Sequence, residues 1–262
     1  STLFPYTTLF RSSKVSPEHC APQALRAACE ASLSRLNTDY IDLYQVHWPP
    51  REVPFAEVHG ELTRLREEGK IRAFGVSNYG PQDLQEWLQM GPLVSNQLGY
   101  NMAFRAIEYE IMPLCRKNNI GILAYMPLMQ GLLAGRWKKA EEIPIMRRRT
   151  RHFAGHRDAV RHGEHGCEEL LFETLAELAN LALHLRISMS AMSLAWLMAQ
   201  PGITSVIVGA RDPEQMLDNL DAAELYLGPA VVARLNEITG PLKNRLGANA
   251  DMWQTSAHAR IR

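Results

Sequence analysis

The sequence predicts an α/β fold built on a parallel sheet, and two observations support this prediction. From Ala21 onward, short β-rich runs alternate with segments of helical periodicity, which is the pattern of repeated βαβ units. Several of the strands are apolar on both faces, as expected when helices cover both sides of a parallel sheet. Five strands are predicted, at residues 40–46, 71–76, 93–96, 120–125 and 205–208, and residues 13–15 form a candidate sixth.

Helical segments lie between and after these strands. The first has Pro22 in its first turn, and the second ends at Gly69, because glycine tolerates the left-handed backbone of a helix C′ position. The tail after Gly240 is mostly polar, with Trp253 as its one large apolar anchor. Five or six strands fit either an open doubly wound sheet or an eight-stranded barrel that lacks strands. The predicted helices cover residues 22–35, 57–68, 81–90, 106–118, 167–185, 190–200, 213–223 and 229–238.

Composition and charge argue against several classes of partner. The 262 residues contain 28 Lys plus Arg and 28 Asp plus Glu, so no global field favours nucleic acid or an anionic membrane. No apolar run approaches the ~20 residues that cross a bilayer, and no charged leader precedes an apolar stretch. The scattered cysteines contain no CxxC pair, which favours a reducing compartment over a disulfide framework or a zinc site. We therefore expect a cytoplasmic protein that binds neither nucleic acid nor membrane. The four cysteines are Cys20, Cys29, Cys115 and Cys167.

The first dozen residues differ in character from the rest. Residues 2–12 (TLFPYTTLFRS) match one reading frame of a common short-read sequencing adapter, although the same letters also fit an aromatic β-hairpin. We interpret residues 1–12 as an artefact and exclude them from the fold. They are expected to make few contacts and to carry no site residue, Tyr6 included. The protein domain is then residues 13–262.

Polar and aromatic groups follow four of the predicted strands, where parallel α/β folds carry their chemistry. Taken singly, each has an ordinary explanation: a lone histidine is more often structural, asparagine is a common turn former, and serine often caps a helix. Their joint appearance at successive strand ends predicts one polar rim. The groups are His47, Ser77 with Asn78, Asn96 with Gln97, and Tyr125.

Four longer stretches make the sequence resemble the aldo-keto reductase superfamily. They are SLSRLNTDYIDLYQVHWP, GKIRAFGVSN, NQLGYNMAFRAIEYEIMPLCRKNNIGILAYMPLMQGLLAG and SLAWLMAQPGITSVIVGARDPEQMLDNL. The resemblance runs from Lys14 to about Ile238 and is nearest to bacterial general-stress reductases and potassium-channel β-subunits. It implies a (β/α)8 TIM barrel, incomplete here because its first strands are missing. It also implies reduction of small aldehydes or ketones by hydride transfer from NADPH.

The family reduces a carbonyl with an Asp, a Tyr, a Lys and a His. The Tyr is the general acid, the Lys lowers its pKa, and the His orients the carbonyl group. The resemblance assigns the last two roles to Lys14 and His47. The matching Asp and Tyr would lie upstream of Lys14, so we expect this chain to be a fragment with little or no activity. The alternative is a non-enzymatic NADPH-binding regulatory subunit like the channel β-subunits.

The resemblance also assigns residues to the nicotinamide end of NADP(H). Ser77, Asn78 and Gln97 would contact the carboxamide, which needs both donors and acceptors. Tyr125 would stack on the nicotinamide ring. Met126 departs from the family pattern, which usually has Ser there, and Asn37 stands where a Gly is common.

The phosphate and adenine end of the cofactor is assigned to two further segments. A loop after Tyr125 would wrap the pyrophosphate through its backbone. A second loop would hold the 2′-phosphate and adenine, because an arginine beside a helix N-terminus suits a phosphate dianion. The first set is Leu128, Gln130, Gly131 and Leu132; the second is Gly209, Ala210, Arg211, Gln215 and Asn219.

Residues 147–166 (RRRTRHFAGHRDAVRHGEHG) form the strongest local bias in composition. His152 and His156 have the i, i+4 spacing of a metal pair on a helix, but no nearby set completes a tetrahedral site. The segment also lacks the aromatic interleaving of a nucleic-acid-binding surface. We interpret it as a solvated basic excursion that can cover the cofactor as a lid, and we predict no metal site.

Overall fold

The computed structural model describes residues 10–262, and these divide into two compact units. The first unit runs to Asn96 and also includes Arg262, and the second is Gln97–Ile261. In chain order, the elements of the first unit are β1 (Ser12–Val15), α1 (Pro22–Leu36), β2 (Ile41–Val46), α2 (Phe55–Glu67), β3 (Ile71–Ser77) and α3 (Pro81–Leu88).

Strands β1 and β2 pair in parallel, and so do β2 and β3. The register places Lys14 opposite Gln45 and Tyr44 opposite Phe74. The candidate strand at residues 13–15 is therefore confirmed, and it begins one residue earlier, at Ser12. Because the three strands are parallel and adjacent, their carboxyl ends lie at one edge of the sheet.

An aromatic cluster fixes α2 and α3 against β3. The ring centroid of Phe55 lies 5.4 Å from that of Tyr79 and 5.7 Å from that of Trp87. The ring of Phe74 in β3 packs edge-on to Trp87 at 6.5 Å. Offset and edge-on ring pairs of this kind stabilise a core beyond their buried area. They hold the end of β3 and the residues that follow it in a single arrangement.

Arg11 contacts strand β2, and Ser12 is the first residue of strand β1, paired with Leu43. The Arg11 backbone N–H donates to Oδ2 of Asp42 at 2.9 Å, and its carbonyl oxygen accepts from the N–H of Leu43 at 3.1 Å. The expectation of few contacts up to residue 12 is therefore wrong for these two residues. Residues 1–9, with Tyr6, lie outside the described part of the chain.

The second unit continues the alternation. Its strands β5 (Gly121–Tyr125) and β6 (Ile203–Ile207) pair in parallel, with Tyr125 opposite Ile207. Trp196 on α6 (Met189–Met198) and Leu242 on α8 (Pro229–Leu246) are fully buried in its core. Strand β4 (Ser95–Gly99) leads into this unit. The later elements are α4 (Ile111–Lys117), β5 (Gly121–Tyr125), α5 (Glu168–Leu185), α6 (Met189–Met198), β6 (Ile203–Ile207), α7 (Pro213–Glu224) and α8 (Pro229–Leu246).

Within the first unit the strand order is β1-β2-β3, and within the second unit β5 pairs with β6. Residues 10–262 thus contain six strands in chain order, two fewer than the eight of a closed (β/α)8 barrel. The predicted α/β fold with a parallel sheet is confirmed.

Two helices differ from their predictions by more than two residues at one end. The segment predicted as a helix at residues 106–118 contains a 3-10 turn followed by α4, which begins only at Ile111. Pro113 lacks an N–H group and lies in the first turn of α4, where no intrahelical donor is needed, so a start at Ile111 avoids the cost of an interior proline. Helix α8 runs eight residues past the predicted end and through Pro241. Burial of Leu242 and Leu246 outweighs the local cost of that proline.

The basic segment 147–166 is not solvated throughout, contrary to the prediction. Thr150, Arg151, His152, Phe153 and His162 are all buried. The His152 ring contacts the Thr150 hydroxyl at 3.0 Å through Nδ1 and the Ala103 carbonyl oxygen at 2.9 Å through Nε2. Burial lowers the pKa of His152 to about 4, which keeps the ring neutral.

Membrane and metal signals are weak in the described residues. No single helix of residues 10–262 is long and apolar enough to cross a membrane; α5 and α6 reach that length and composition only together, across a bend of 96°. Within the same residues, no group of three His, Cys, Asp or Glu side chains is placed to hold a metal ion. Both ring nitrogens of His152 contact protein atoms, the Thr150 hydroxyl and the Ala103 carbonyl oxygen.

Candidate functional site

In the first unit, four predicted site residues lie at or beside the carboxyl ends of β1, β2 and β3. Lys14 is in β1, His47 follows β2, Ser77 ends β3, and Asn78 follows it. The His47 N–H donates to the Val15 carbonyl oxygen at 2.9 Å. The Asn78 amide donates to the His47 carbonyl oxygen and to the Ser77 hydroxyl, both at 3.1 Å. Neighbouring strand ends therefore bring this polar group together.

The electrostatics of this group favour a neutral imidazole. Burial lowers the pKa of His47, and the positive charge of Lys14 lowers it further. Burial also lowers the pKa of Lys14. A neutral imidazole has one N–H donor and one acceptor nitrogen, so it can donate to a carbonyl oxygen without carrying a full charge.

Asn96, predicted as a rim residue, has a structural role. It is fully buried, and its amide donates to the Tyr79 carbonyl oxygen at 2.8 Å and accepts from the Tyr79 N–H at 3.4 Å. Gln97 lies inside β4 and not after it. The strand was predicted at residues 93–96, but it begins at Ser95 and ends at Gly99. The side chain of Gln97 is buried.

In the second unit, Tyr125 ends β5 and is partly exposed. Burial raises the pKa of its phenol, and the carboxylate of Asp251 raises it further while Arg260 lowers it. The phenol therefore stays protonated at neutral pH. A partly exposed aromatic ring at a strand end offers a face on which a planar ring can stack.

A cavity of about 620 Å³ in the second unit is lined by all but one of the residues assigned to the phosphate and adenine end of the cofactor. Leu132 does not line it, because its side chain is buried in the core. Two loops and α7 form its walls. The predicted residues that line it are Leu128, Gln130, Gly131, Gly209, Ala210, Arg211, Gln215 and Asn219.

The first wall is a loop with an unusual backbone. Met126, Met129 and Gln130 have φ angles of 57°, 44° and 55°, and Gly131 has a φ of 100°. Non-glycine residues rarely adopt the left-handed region, so a run of them marks a backbone that the surroundings hold in place. Within residues 10–262, the buried Oε1 of Gln130 accepts no hydrogen bond. An orphaned acceptor that lines a cavity is suited to a ligand donor.

The second wall is the start of α7. The Asp212 carboxylate caps this helix by accepting from the Gln215 N–H at 2.8 Å and from the Gln215 amide at 2.8 Å. Gln215 Oε1 in turn accepts from the Arg211 N–H at 3.3 Å. The cap fixes the loop before the helix, and the positive end of the helix dipole adds to the Arg211 charge.

Five residues that the sequence prediction missed also line this cavity. Arg136 and Arg147 bring two more guanidinium groups, and the Arg147 guanidinium lies 5.8 Å from the centre of the Trp137 ring. Helical spacing gave a usable signal for Asp218, which lies three residues after Gln215. No sequence signal distinguishes Arg147 from the other arginines of its run. The missed residues are Ala134, Arg136, Arg147, Ser190 and Asp218.

The sequence is similar to known proteins over most of its length. A model of the Aldo/keto reductase family matches residues 4–239. NADH-specific methylglyoxal reductase of Escherichia coli is 32% identical over 229 residues, which are 86% of this chain and 67% of the relative. Aldo-keto reductase YhdN of Bacillus subtilis is 36% identical over 192 residues, 71% of this chain and 54% of the relative.

Solved structures agree with the sequence relatives. The crystal structure of an aldo/keto reductase from Klebsiella pneumoniae in complex with NADP and acetate superposes with a TM-score of 0.68 at 30% identity, covering 88% of this chain and 70% of that one. The chain therefore belongs to the aldo/keto reductase family, whose members are oxidoreductases. It spans about two thirds of the E. coli relative and about half of the B. subtilis relative.

Proposed function

We propose that this chain binds NADP(H) in the cavity of its second unit and serves the reduction of small aldehydes or ketones. The observation that carries the proposal is the cavity itself, which is lined by three arginines, by Gln130 with its unpaired acceptor, and by the start of α7. Its volume of about 620 Å³ lies within the range of cofactor sites.

The donor set fits a phosphorylated dinucleotide. Arg136, Arg147 and Arg211 form no ion pair with the residues that the structure describes, so their charges are available to an anion. Guanidinium groups bind phosphate through two parallel hydrogen bonds. Gln130 Oε1 would accept from an amino or hydroxyl group of the ligand.

The preference for NADPH over NADH depends on the 2′-phosphate. The name of the E. coli relative specifies NADH, whereas the K. pneumoniae structure contains NADP. Arg211, beside the capped start of α7, is the residue we assign to the 2′-phosphate. Asp218 on the same helix would meet the adenine amino group rather than a phosphate, because its carboxylate repels the dianion.

The remaining residues would serve the nicotinamide end and the substrate. Ser77, Asn78 and Gln97 would hold the carboxamide, and Tyr125 would present its ring face. His47 would donate a hydrogen bond to the carbonyl oxygen of the substrate, next to the cation of Lys14. When bound, NADPH supplies the hydride.

The test is a titration of the chain with NADPH and, separately, NADH, followed by cofactor fluorescence. Arg211→Ala is expected to weaken NADPH binding about tenfold or more and NADH binding by less than about twofold, since only NADPH carries the dianion. The control is Arg64→Ala on the exposed face of α2, which should change neither affinity. Equal losses for the two cofactors would contradict the 2′-phosphate assignment.

Our expectation that this chain reduces carbonyl substrates slowly or not at all stays a prediction. It is checked by following NADPH oxidation with methylglyoxal. Turnover at an ordinary rate would contradict this prediction, whereas binding without turnover agrees with it and also with the non-enzymatic alternative.

A further inference from the structure

The loop of residues 249–260 is closed by an ion pair between a buried carboxylate and a partly exposed arginine. Asp251 is completely buried, and its carboxylate accepts from Nε and Nη2 of Arg260 at 2.8 and 2.9 Å. It also accepts from the backbone N–H groups of Trp253 and Arg260 at 3.2 and 3.1 Å. One carboxylate therefore ties both ends of the loop together, and paired hydrogen bonds to an arginine are the strong kind.

The start of the same loop is fixed from two further directions. The Asn249 side chain accepts from the Asp251 N–H at 3.0 Å and donates to the Gln254 carbonyl oxygen at 2.9 Å. The Met252 carbonyl oxygen accepts from the Arg151 N–H at 2.8 Å. The position of Met252 is thus set by the backbone and not only by packing.

The Met252 side chain lies beside Tyr125. Met252 is completely buried, and a Cβ atom added to Gly99 would lie 2.5 Å from Met252 Cε and 3.3 Å from Tyr125 Cζ. Only a residue without a side chain leaves room for this arrangement at the end of β4. The methionine methyl group and the tyrosine ring are therefore neighbours, and contacts of methionine with aromatic rings are favourable.

We propose that Met252 is a positioning residue for the cofactor: it supports the Tyr125 ring, and the Asp251–Arg260 pair holds Met252 in place. The inference rests on the proposed function, in which Tyr125 stacks on the nicotinamide. A ring fixed before binding loses less conformational entropy when the cofactor stacks on it, so a contact that restrains the ring increases the affinity for the cofactor. The effect of Asp251 and Arg260 on the pKa of the Tyr125 phenol agrees with their closeness to it.

The experiment is a double-mutant cycle on the whole chain, with NADPH affinity measured by cofactor fluorescence. With Tyr125 present, Met252→Ala is expected to weaken NADPH binding about 3- to 10-fold, the range of one aromatic contact. In the Tyr125→Ala background the same change should cost less than about twofold, because the ring that Met252 supports is gone. Met252→Leu, which keeps the volume, should stay within about twofold of the parent.

The matched control is Met112→Ala, which removes another buried methionine, from α4. It should lower the melting temperature to a similar extent and leave NADPH affinity unchanged. Arg260→Gln gives a second variant that acts on a partly exposed side chain, and we expect it to weaken NADPH binding in the same direction as Met252→Ala.

The outcomes separate the two proposals. If Met252→Ala lowers the melting temperature but not the affinity, Met252 is only a core residue and the inference is wrong. An equal loss of affinity in both Tyr125 backgrounds also overturns it, because Met252 would then act without Tyr125. If Tyr125→Ala alone leaves the affinity unchanged, the stacking role in the proposed function fails first. If the parent chain binds no NADPH, the proposed function fails as a whole.

Discussion

Arg147 and Arg151 lie four residues apart in one basic run, yet they have opposite environments. Arg151 is 7% exposed, and its guanidinium donates to Glu164 at 2.9 Å and to the carbonyl oxygens of Leu246 and Asn249 at 3.0 and 3.2 Å. Arg147 is exposed, lines the cavity, and forms no ion pair within residues 10–262. The first arginine stabilises the fold through these contacts, and the second is the one that we propose to bind an anionic ligand.

The comparison shows that arginines of the same basic run differ in their surroundings, one being buried among oxygen acceptors and the other exposed to solvent. A buried guanidinium is tolerated only when carboxylate and carbonyl oxygens replace the water that it loses. An arginine with no protein acceptor must stay in contact with solvent, and it can then exchange that solvent for a phosphate. The acceptors around a guanidinium, rather than the basic run itself, therefore separate structural arginines from binding arginines.

The largest expected effect is on stability, from Arg151→Ala. Its removal leaves the Glu164 carboxylate and two carbonyl oxygens without their donor, so we expect a loss of about 3–5 kcal/mol in the free energy of unfolding. The measurement is urea unfolding followed by tryptophan fluorescence. Arg147→Ala, the matched control from the same run, should change that free energy by no more than about 0.5 kcal/mol. Similar losses for the two variants would break the comparison.

The sequence predicted the part of this picture that depends on periodicity. Alternating βα units place the strand ends, so His47, Ser77 and Asn78 could be assigned to one polar rim from the sequence, whereas Lys14 was assigned only through the family resemblance. Tertiary packing decided the rest. Helix α8 passes through Pro241 because Leu242 and Leu246 are buried, and Arg136 and Arg147 reach the cavity through a fold that local patterns do not encode.

The next effect in size is a pH dependence that comes from His152, the neighbour of Arg151. The pKa of His152 is lowered to about 4 in the folded chain, while an unfolded histidine titrates near 6.5. Between these values only the unfolded chain takes up the proton, so stability falls as the pH falls from about 6.5 to 4. The loss from this residue approaches about 3 kcal/mol at pH 4 and vanishes above about pH 7.

The measurement is the free energy of unfolding at a series of pH values for the parent chain and for His152→Gln. Glutamine can also donate and accept hydrogen bonds but does not titrate, so its curve should be flatter over this window. His184, in the last turn of α5 and not buried, is the matched control, and His184→Gln should keep the parent slope. If the free energy of unfolding depends on pH in the same way for the parent chain and for His152→Gln, His152 is not the cause of the loss of stability between about pH 6.5 and 4.

The smallest effect has the opposite sign to the first. Arg136, Arg147 and Arg211 place three positive charges around one cavity, and Asp218 is the only carboxylate among the described residues that line it. In the absence of a ligand, Arg147→Gln should therefore raise the free energy of unfolding by a few tenths of a kcal/mol, about 0.3, because it relieves repulsion between like charges. With saturating NADPH the sign should reverse, since the folded chain is stabilised in proportion to its affinity for the ligand and the variant binds more weakly. Paired melting curves with and without NADPH test this, and added salt should shrink the gain seen without ligand. A loss of stability without ligand would mean that Arg147 is a structural arginine like Arg151, and the distinction between the two would no longer hold.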